Sequence, residues 1–154
     1  MTEFDLVKFM DTLPVVSGMM AKHQIYGILY YLKDILDKGI EGEVVELGCN
    51  VGTTSIFIKK FIGMYTDRKY YVYDSWRGLP PKVSKDMNSH QTDNCNHCGQ
   101  DTCRCPQYEE GACATSRETF ERVFESFGLE LPIINSGWFK EIPDDKYPEK
   151  ICLA

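Results

Sequence analysis

The segment Val44-Val45-Glu46-Leu47-Gly48-Cys49-Asn50-Val51-Gly52-Thr53-Thr54-Ser55 sets a carboxylate and an amide on either side of a glycine, with three hydroxyl residues behind them. A glycine at the end of a strand lets the backbone turn sharply and lets a ligand come close. A helix that follows offers its N-terminal amide groups to the same space. Asp74 stands 26 residues after Gly48, at the end of a second apolar run, where a carboxylate suits the two hydroxyls of a ribose. A dinucleotide fingerprint would place glycines where Asn50 and Thr53 stand, so the pyrophosphate pattern is absent. A glutamate followed by Gly-x-x-x-Gly suits instead a cofactor without phosphate, such as S-adenosylmethionine, whose ammonium and carboxylate need acceptors as well as donors. The competing reading is a loop that only joins a strand to a helix. Glu46 and Asp74 together favour the cofactor.

A second group of residues with chemistry of their own is Cys95-x-x-Cys98-x-x-x-x-Cys103-x-Cys105, with His97 between the first two thiols. A C-x-x-C pair is a good half-site for tetrahedral zinc. The C-x-C half is tight for one ion, so Cys113 or His97 is an alternative fourth ligand. A structural zinc competes here with free surface thiols and adventitious disulfides. Cys49 and Cys152 read as small buried apolar residues. His23 and His90 are solitary and receive no role.

These residues need a scaffold, and the pattern supplies one. Ile25, Ile28, Leu29, Leu32, Ile35 and Leu36 recur at helical spacing and predict an amphipathic helix over 24–38, stopped by Gly39. Glu43 to Leu47 reads as a strand, the Gly48–Ser55 loop follows, and Ile56, Phe57, Ile58, Phe61 and Ile62 mark a helix. Tyr70 to Tyr73 is a second strand ending at Asp74. This order is a βαβ unit, which predicts a parallel sheet with a right-handed crossover. Residues 80 to 114 are polar, rich in cysteine and poor in aliphatics, and read as a long loop or insertion, its Cys-rich part at about 82–114. Thr115 or Ser116 is the expected N-cap of a helix carrying Phe120, Val123, Phe124 and Phe127, closed by Gly128. Leu131 to Ile134 reads as a third strand, and Ile151-Cys152-Leu153-Ala154 as the start of a fourth.

The 154 residues carry 17 basic and 23 acidic side chains, a net charge of −6, with 43% hydrophobic and 26% charged residues. This is the composition of an ordinary globular chain, long enough for a core. The acidic balance argues against gripping nucleic acid through bulk charge. No apolar run approaches the roughly 20 residues that cross a bilayer. The acidic start lacks the basic region of a signal peptide, so a cytoplasmic location is expected.

Val45-Glu46-Leu47-Gly48-Cys49-Asn50-Val51-Gly52, followed by Val72-Tyr73-Asp74-Ser75-Trp76-Arg77-Gly78-Leu79-Pro80, resembles the macrocin O-methyltransferases, class I enzymes that use S-adenosylmethionine. Ser136-Gly137-Trp138-Phe139-Lys140-Glu141-Ile142-Pro143 is similar to that family's Gly-Trp-Phe-Lys segment. Ser17-Gly18-Met19-Met20 is a looser match to an N-terminal Thr-Met segment on the cofactor. The resemblance implies a Rossmann-like α/β sheet forming one S-adenosylmethionine-binding domain over residues 1–154, cut off after its third or fourth strand. It implies that Glu46, Gly48 and Asn50, with Gly52 completing the loop, hold the methionine part. Asp74 would hold the ribose, and Ser75, Ser116 and Trp138 would line the adenosine pocket. In the competing reading Trp138 and Phe139 are core aromatics. The implied activity is O-methylation of a hydroxyl on a small molecule or sugar. The family's Asp-x-Asp-x-Tyr motif, whose carboxylates bind a divalent metal such as magnesium, has no match here. The resemblance therefore carries over no catalytic acid, base or magnesium ligand to this chain, although magnesium is expected for the full-length family enzyme. The alternative is an inactive methyltransferase-like domain whose cysteine loop makes a zinc-stabilised interaction surface. A sheet cut short in this way would expose its edge and one face, so a homo-oligomer, aggregation or a longer natural product is expected.

Overall fold

The computed structural model describes residues 5–81, 90–91, 102–103 and 110–154. Two compact units form: Met1–Trp76 with Ser116–Ala154, and Arg77–Thr115. The larger unit contains a four-stranded parallel sheet made of β1 (Glu43–Leu47), β2 (Tyr70–Asp74), β5 (Ile133–Ser136) and β6 (Ile151–Leu153), in the order β5-β2-β1-β6. Its helices are α1 (Leu6–Met10), α2 (Lys22–Asp37), α3 (Thr53–Tyr65) and α4 (Arg117–Ser126).

Each helix forms for a local reason. In α2 the buried Ile25, Leu29 and Leu32 recur at helical spacing on one face. The helix begins at Lys22, two residues before the expected 24, because Gln24 reaches back to accept the Ala21 amide at 2.8 Å. Ser116 is the cap of α4, its hydroxyl accepting the Thr119 amide at 3.1 Å. α3 is buried along most of its length: Ile56, Phe57, Ile58, Phe61 and Ile62 are all in the core.

In a parallel pair the registered residues share a face. Val44, Glu46, Tyr70, Val72 and Ile134 lie on the helix-covered face, and the main core gathers there with Phe57, Phe61, Phe120 and Phe124. The opposite face carries Val45, Leu47, Tyr71, Tyr73 and Ile133. Over it fold two 3-10 turns, Phe139–Glu141 and Asp144–Lys146, bringing Ile142 and Tyr147 onto Val45 and Tyr73. The Tyr73 and Tyr147 rings stack at 4.5 Å, and the Tyr73 hydroxyl donates to the Lys146 carbonyl.

The third strand is displaced from the expected Leu131–Ile134. Pairing with β2 begins at Ile133 opposite Tyr71 and runs to Ser136, because Pro132 has no amide to donate. Cys152 is half-buried rather than enclosed, its thiol donating to the Glu43 carbonyl at 3.3 Å. The smaller unit is more than a loop. It contains the antiparallel pair β3 (His90–Gln91) and β4 (Thr102–Cys103), and Leu79 exchanges backbone hydrogen bonds with Ala112 and Gly111. No helix among the described residues is long and apolar enough to cross a membrane.

Candidate cofactor site

β6 lies on one side of β1 while β2 and β5 lie on the other, so the chain changes direction across the sheet at the carboxyl end of β1. This switch point is where open α/β sheets bind ligands. A cleft of about 720 Å³ opens there, walled by Glu46, Gly48, Asn50 and Thr53, the Met19–Met20 segment, Tyr31 of α2 and Leu153 of β6. Its volume is that of a small-molecule site.

Backbone geometry shapes the loop. Gly48 has φ +84°, and a Cβ built on it would meet nothing within 4 Å, so the glycine provides a left-handed turn and leaves the space above it open. Its amide donates to the Tyr73 carbonyl at 2.8 Å, extending the β1–β2 ladder by one step. Gly52 works differently. It caps α3 with φ +90°, and a Cβ there would lie 2.9 Å from the Phe120 ring. Its role is to let α4 pack against the loop.

The two strand-end acids are held in unlike ways. The Asp74 carboxylate accepts the Cys49 and Asn50 amides at 2.8 and 2.9 Å through Oδ2 and the Trp76 amide at 2.8 Å through Oδ1. It thereby fixes both the glycine loop and its own turn. Glu46 is half-buried, and a single oxygen, Oε2, accepts hydrogen bonds from the Ser55 hydroxyl at 2.6 Å and from the Tyr70 hydroxyl. Burial pushes the Glu46 carboxyl up to about 7, against the pull of those two hydrogen bonds, and the nearby Asp74 charge adds to the rise. Burial and the Glu46 charge raise the Tyr70 hydroxyl well above its ordinary range, so it stays a donor. Burial likewise pushes the Cys49 thiol up, leaving it uncharged between the two acids.

Of the residues singled out in the sequence, the cleft wall brings together Glu46, Gly48 and Asn50, with Ser17, Met19 and Met20 of the N-terminal segment. The Ser17 hydroxyl meets that of Thr53 at 2.9 Å, which ties this segment to the start of α3. Gly52, Asp74, Ser75, Ser116 and Trp138 do not line the cleft. Ser116 is engaged as a helix cap. Trp138, half-buried, precedes the Phe139–Glu141 turn, and Phe139 is exposed rather than a core aromatic. Trp76 links the ends of β2 and β5: its indole N–H donates to the Ser136 hydroxyl at 3.1 Å and its ring lies 5.3 Å from Phe120. Sequence reasoning missed Tyr70 and Ser55 as partners of Glu46, and Gln24, Tyr31 and Thr54 as wall residues. The signal for Ser55 was its helical spacing from the loop; for Tyr70 it was only register.

Cys95, Cys98 and Cys105 lie outside the described residues, and Cys103 is described only as part of β4. Among the described residues no three His, Cys, Asp or Glu side chains gather to hold a metal ion.

Fold and cleft together define a Rossmann-type domain with an open cleft at the carboxyl end of β1. The chain belongs to the macrocin-O-methyltransferase (TylF) family, whose model matches residues 7–154. It is 28% identical over 131 residues to the 8-demethyl-8-(2,3-dimethoxy-alpha-L-rhamnosyl)-tetracenomycin-C 4'-O-methyltransferase of Streptomyces olivaceus, covering 82% of this chain and 46% of that protein. It is 27% identical over 132 residues to the mycinamicin III 3''-O-methyltransferase of Micromonospora griseorubida, covering 82% and 48%. The chain thus spans about half the length of these curated relatives. In fold it is similar to the O-methyltransferase NovP, with a TM-score of 0.57 at 21% identity, covering 80% of this chain and 48% of NovP. The calicheamicin methyltransferase CalS11 gives a TM-score of 0.55 at 17% identity, covering 88% and 56%.

Proposed function

We propose that the cleft binds S-adenosylmethionine and that the chain serves an O-methyltransferase whose acceptor is a hydroxyl on a small molecule or sugar. Family membership supports the reaction class, and the two relatives are named for methylating positions on natural products. The observation that carries the cofactor is the charge of the cleft. Glu46 is the only charged side chain among the described residues of its wall. A pyrophosphate would meet a carboxylate and no lysine or arginine there, whereas an ammonium would meet its natural partner.

The donor set fits the rest of the molecule. Oε1 of Glu46 takes no hydrogen bond from the described residues, because Ser55 and Tyr70 both use Oε2. It is the acceptor for the amino group. Asn50 and the start of α3 at Thr53 and Thr54 supply polar groups on the other side of Gly48 for the carboxylate. Asp74 fixes the loop between them through the Cys49 and Asn50 amides. Bound here, the cofactor would supply an electrophilic methyl group on a sulfonium sulfur. The chain's residues would hold it in place, which for methyl transfer is most of what catalysis requires.

Equilibrium binding separates this proposal from a nucleotide site. S-adenosylhomocysteine is expected to bind saturably and NADH not to compete. Folded protein that binds NADH and ignores S-adenosylhomocysteine would contradict it.

A further inference from the structure

The Glu46 carboxylate is approached by two hydroxyls from two different elements, Ser55 on α3 and Tyr70 on β2, and both donate to the same oxygen. Tyr70 is registered with Val44, one face-sharing step from Glu46 on the neighbouring strand. Its hydroxyl therefore crosses diagonally between β2 and β1, and its ring, 3% exposed, is fixed in the core. Ser55 is fully buried in the first turn of α3. Neither side chain can swing away without opening the core, so Oε2 is held from both sides and the carboxyl plane is set. Tyr70 and Ser55 do not line the cleft; Glu46 does.

We infer that Tyr70 and Ser55 are positioning residues that clamp one oxygen of Glu46 so that the other is presented to the cleft as the acceptor for the ligand's ammonium group. This inference rests on the cofactor reading above. A carboxylate with three rotatable bonds would otherwise lose rotamer freedom on binding, and the clamp removes that cost beforehand. It also favours the ionised form: two hydroxyl donors on Oε2 stabilise negative charge and oppose the burial that favours the neutral acid. Besides the clamp, the groups acting on Glu46 are Asp74 on β2 and the Cys49 thiol in the loop. Asp74 is tied to backbone amides, and the buried thiol stays uncharged.

The test compares two ligands on the full chain and its variants. S-adenosylhomocysteine carries the amino-acid end, while 5'-methylthioadenosine shares its nucleoside and lacks that end. Tyr70→Phe keeps the buried ring and removes only the hydroxyl. It is expected to weaken S-adenosylhomocysteine about tenfold at pH 7 and to leave methylthioadenosine within about twofold. The pH midpoint of S-adenosylhomocysteine binding should move upward, because the ionised Glu46 has lost a donor. Ser55→Ala should act in the same direction on both readouts, which keeps the test alive if one variant folds poorly. Equal loss for both ligands would mark Tyr70 as merely structural and overturn the inference, as would unchanged affinity and an unmoved midpoint. Failure of the folded wild-type chain to bind either ligand would overturn the cofactor reading first, and this inference with it.

Discussion

The carboxyl ends of β1 and β2 each finish near an acid: Glu46 is registered with Val72, and Asp74 follows two residues further along β2. Asp74 spends both oxygens on backbone amides, three in all. Glu46 takes two hydroxyls on one oxygen and lines the cleft. The same chemical group thus ties down the loop at one strand end and lines the cleft at the other. Burial pushes the Glu46 carboxyl up to about 7.

The comparison breaks most visibly at Asp74. Asp74→Ala strips three amides of their acceptor at once and is expected to cost about 3 kcal/mol of stability, read by urea denaturation. A cost below about 1 kcal/mol would mean that the loop does not depend on this carboxylate. Next in size is Gly52→Ala, which forces a side chain into φ +90° and pushes against Phe120 at 2.9 Å. About 2 kcal/mol is expected, with the Phe120 neighbourhood disturbed in near-UV circular dichroism.

Glu46→Gln should do the opposite of Asp74→Ala. It is expected to weaken S-adenosylhomocysteine about tenfold, near 1.4 kcal/mol, without destabilising the chain at pH 8. The sign follows from linkage. A carboxyl raised from 4.5 in the unfolded chain to about 7 in the fold binds its proton more tightly when folded. Its contribution to stability is complete below pH 4.5 and is lost as pH rises through about 7. The thermal midpoint of the free protein should therefore decline more steeply between pH 5 and 8 in the wild type than in Glu46→Gln, as scanning calorimetry would record. Smallest is Ser116→Ala, a lost helix cap of about 1 kcal/mol. Unchanged ligand affinity in that variant would sharpen the assignment of Ser116 to the cap rather than to the nucleoside.

Much of this was legible in the sequence for a physical reason. The Val44-Val45 and Tyr70–Tyr73 runs are strand formers bounded by glycine and acid, and both strands fall where the pattern puts them, Glu43–Leu47 and Tyr70–Asp74. Helical spacing gave α2, and the cap gave α4. The five-residue α1 escaped notice because it is too short to show periodicity. The third strand slipped by two residues because its start is decided by pairing with Tyr71, a contact that no local pattern encodes. At the site, glycine spacing revealed the loop, but not that Gly52 serves Phe120, a residue 68 positions away. Tyr70 looked like β-propensity alone. Its hydroxyl acquires a task only when register lays it diagonally beside Glu46.

The central claim is that Glu46 receives a cationic ligand group, and calorimetric titration with S-adenosylhomocysteine at pH 7 in buffers of different ionisation enthalpy tests it most directly. With the carboxyl near 7, roughly half the molecules carry a proton on Glu46 that an incoming ammonium must displace. The account predicts binding with release of about half a proton, a release absent from Glu46→Gln. Binding with no proton exchanged, or none by folded protein, would contradict it.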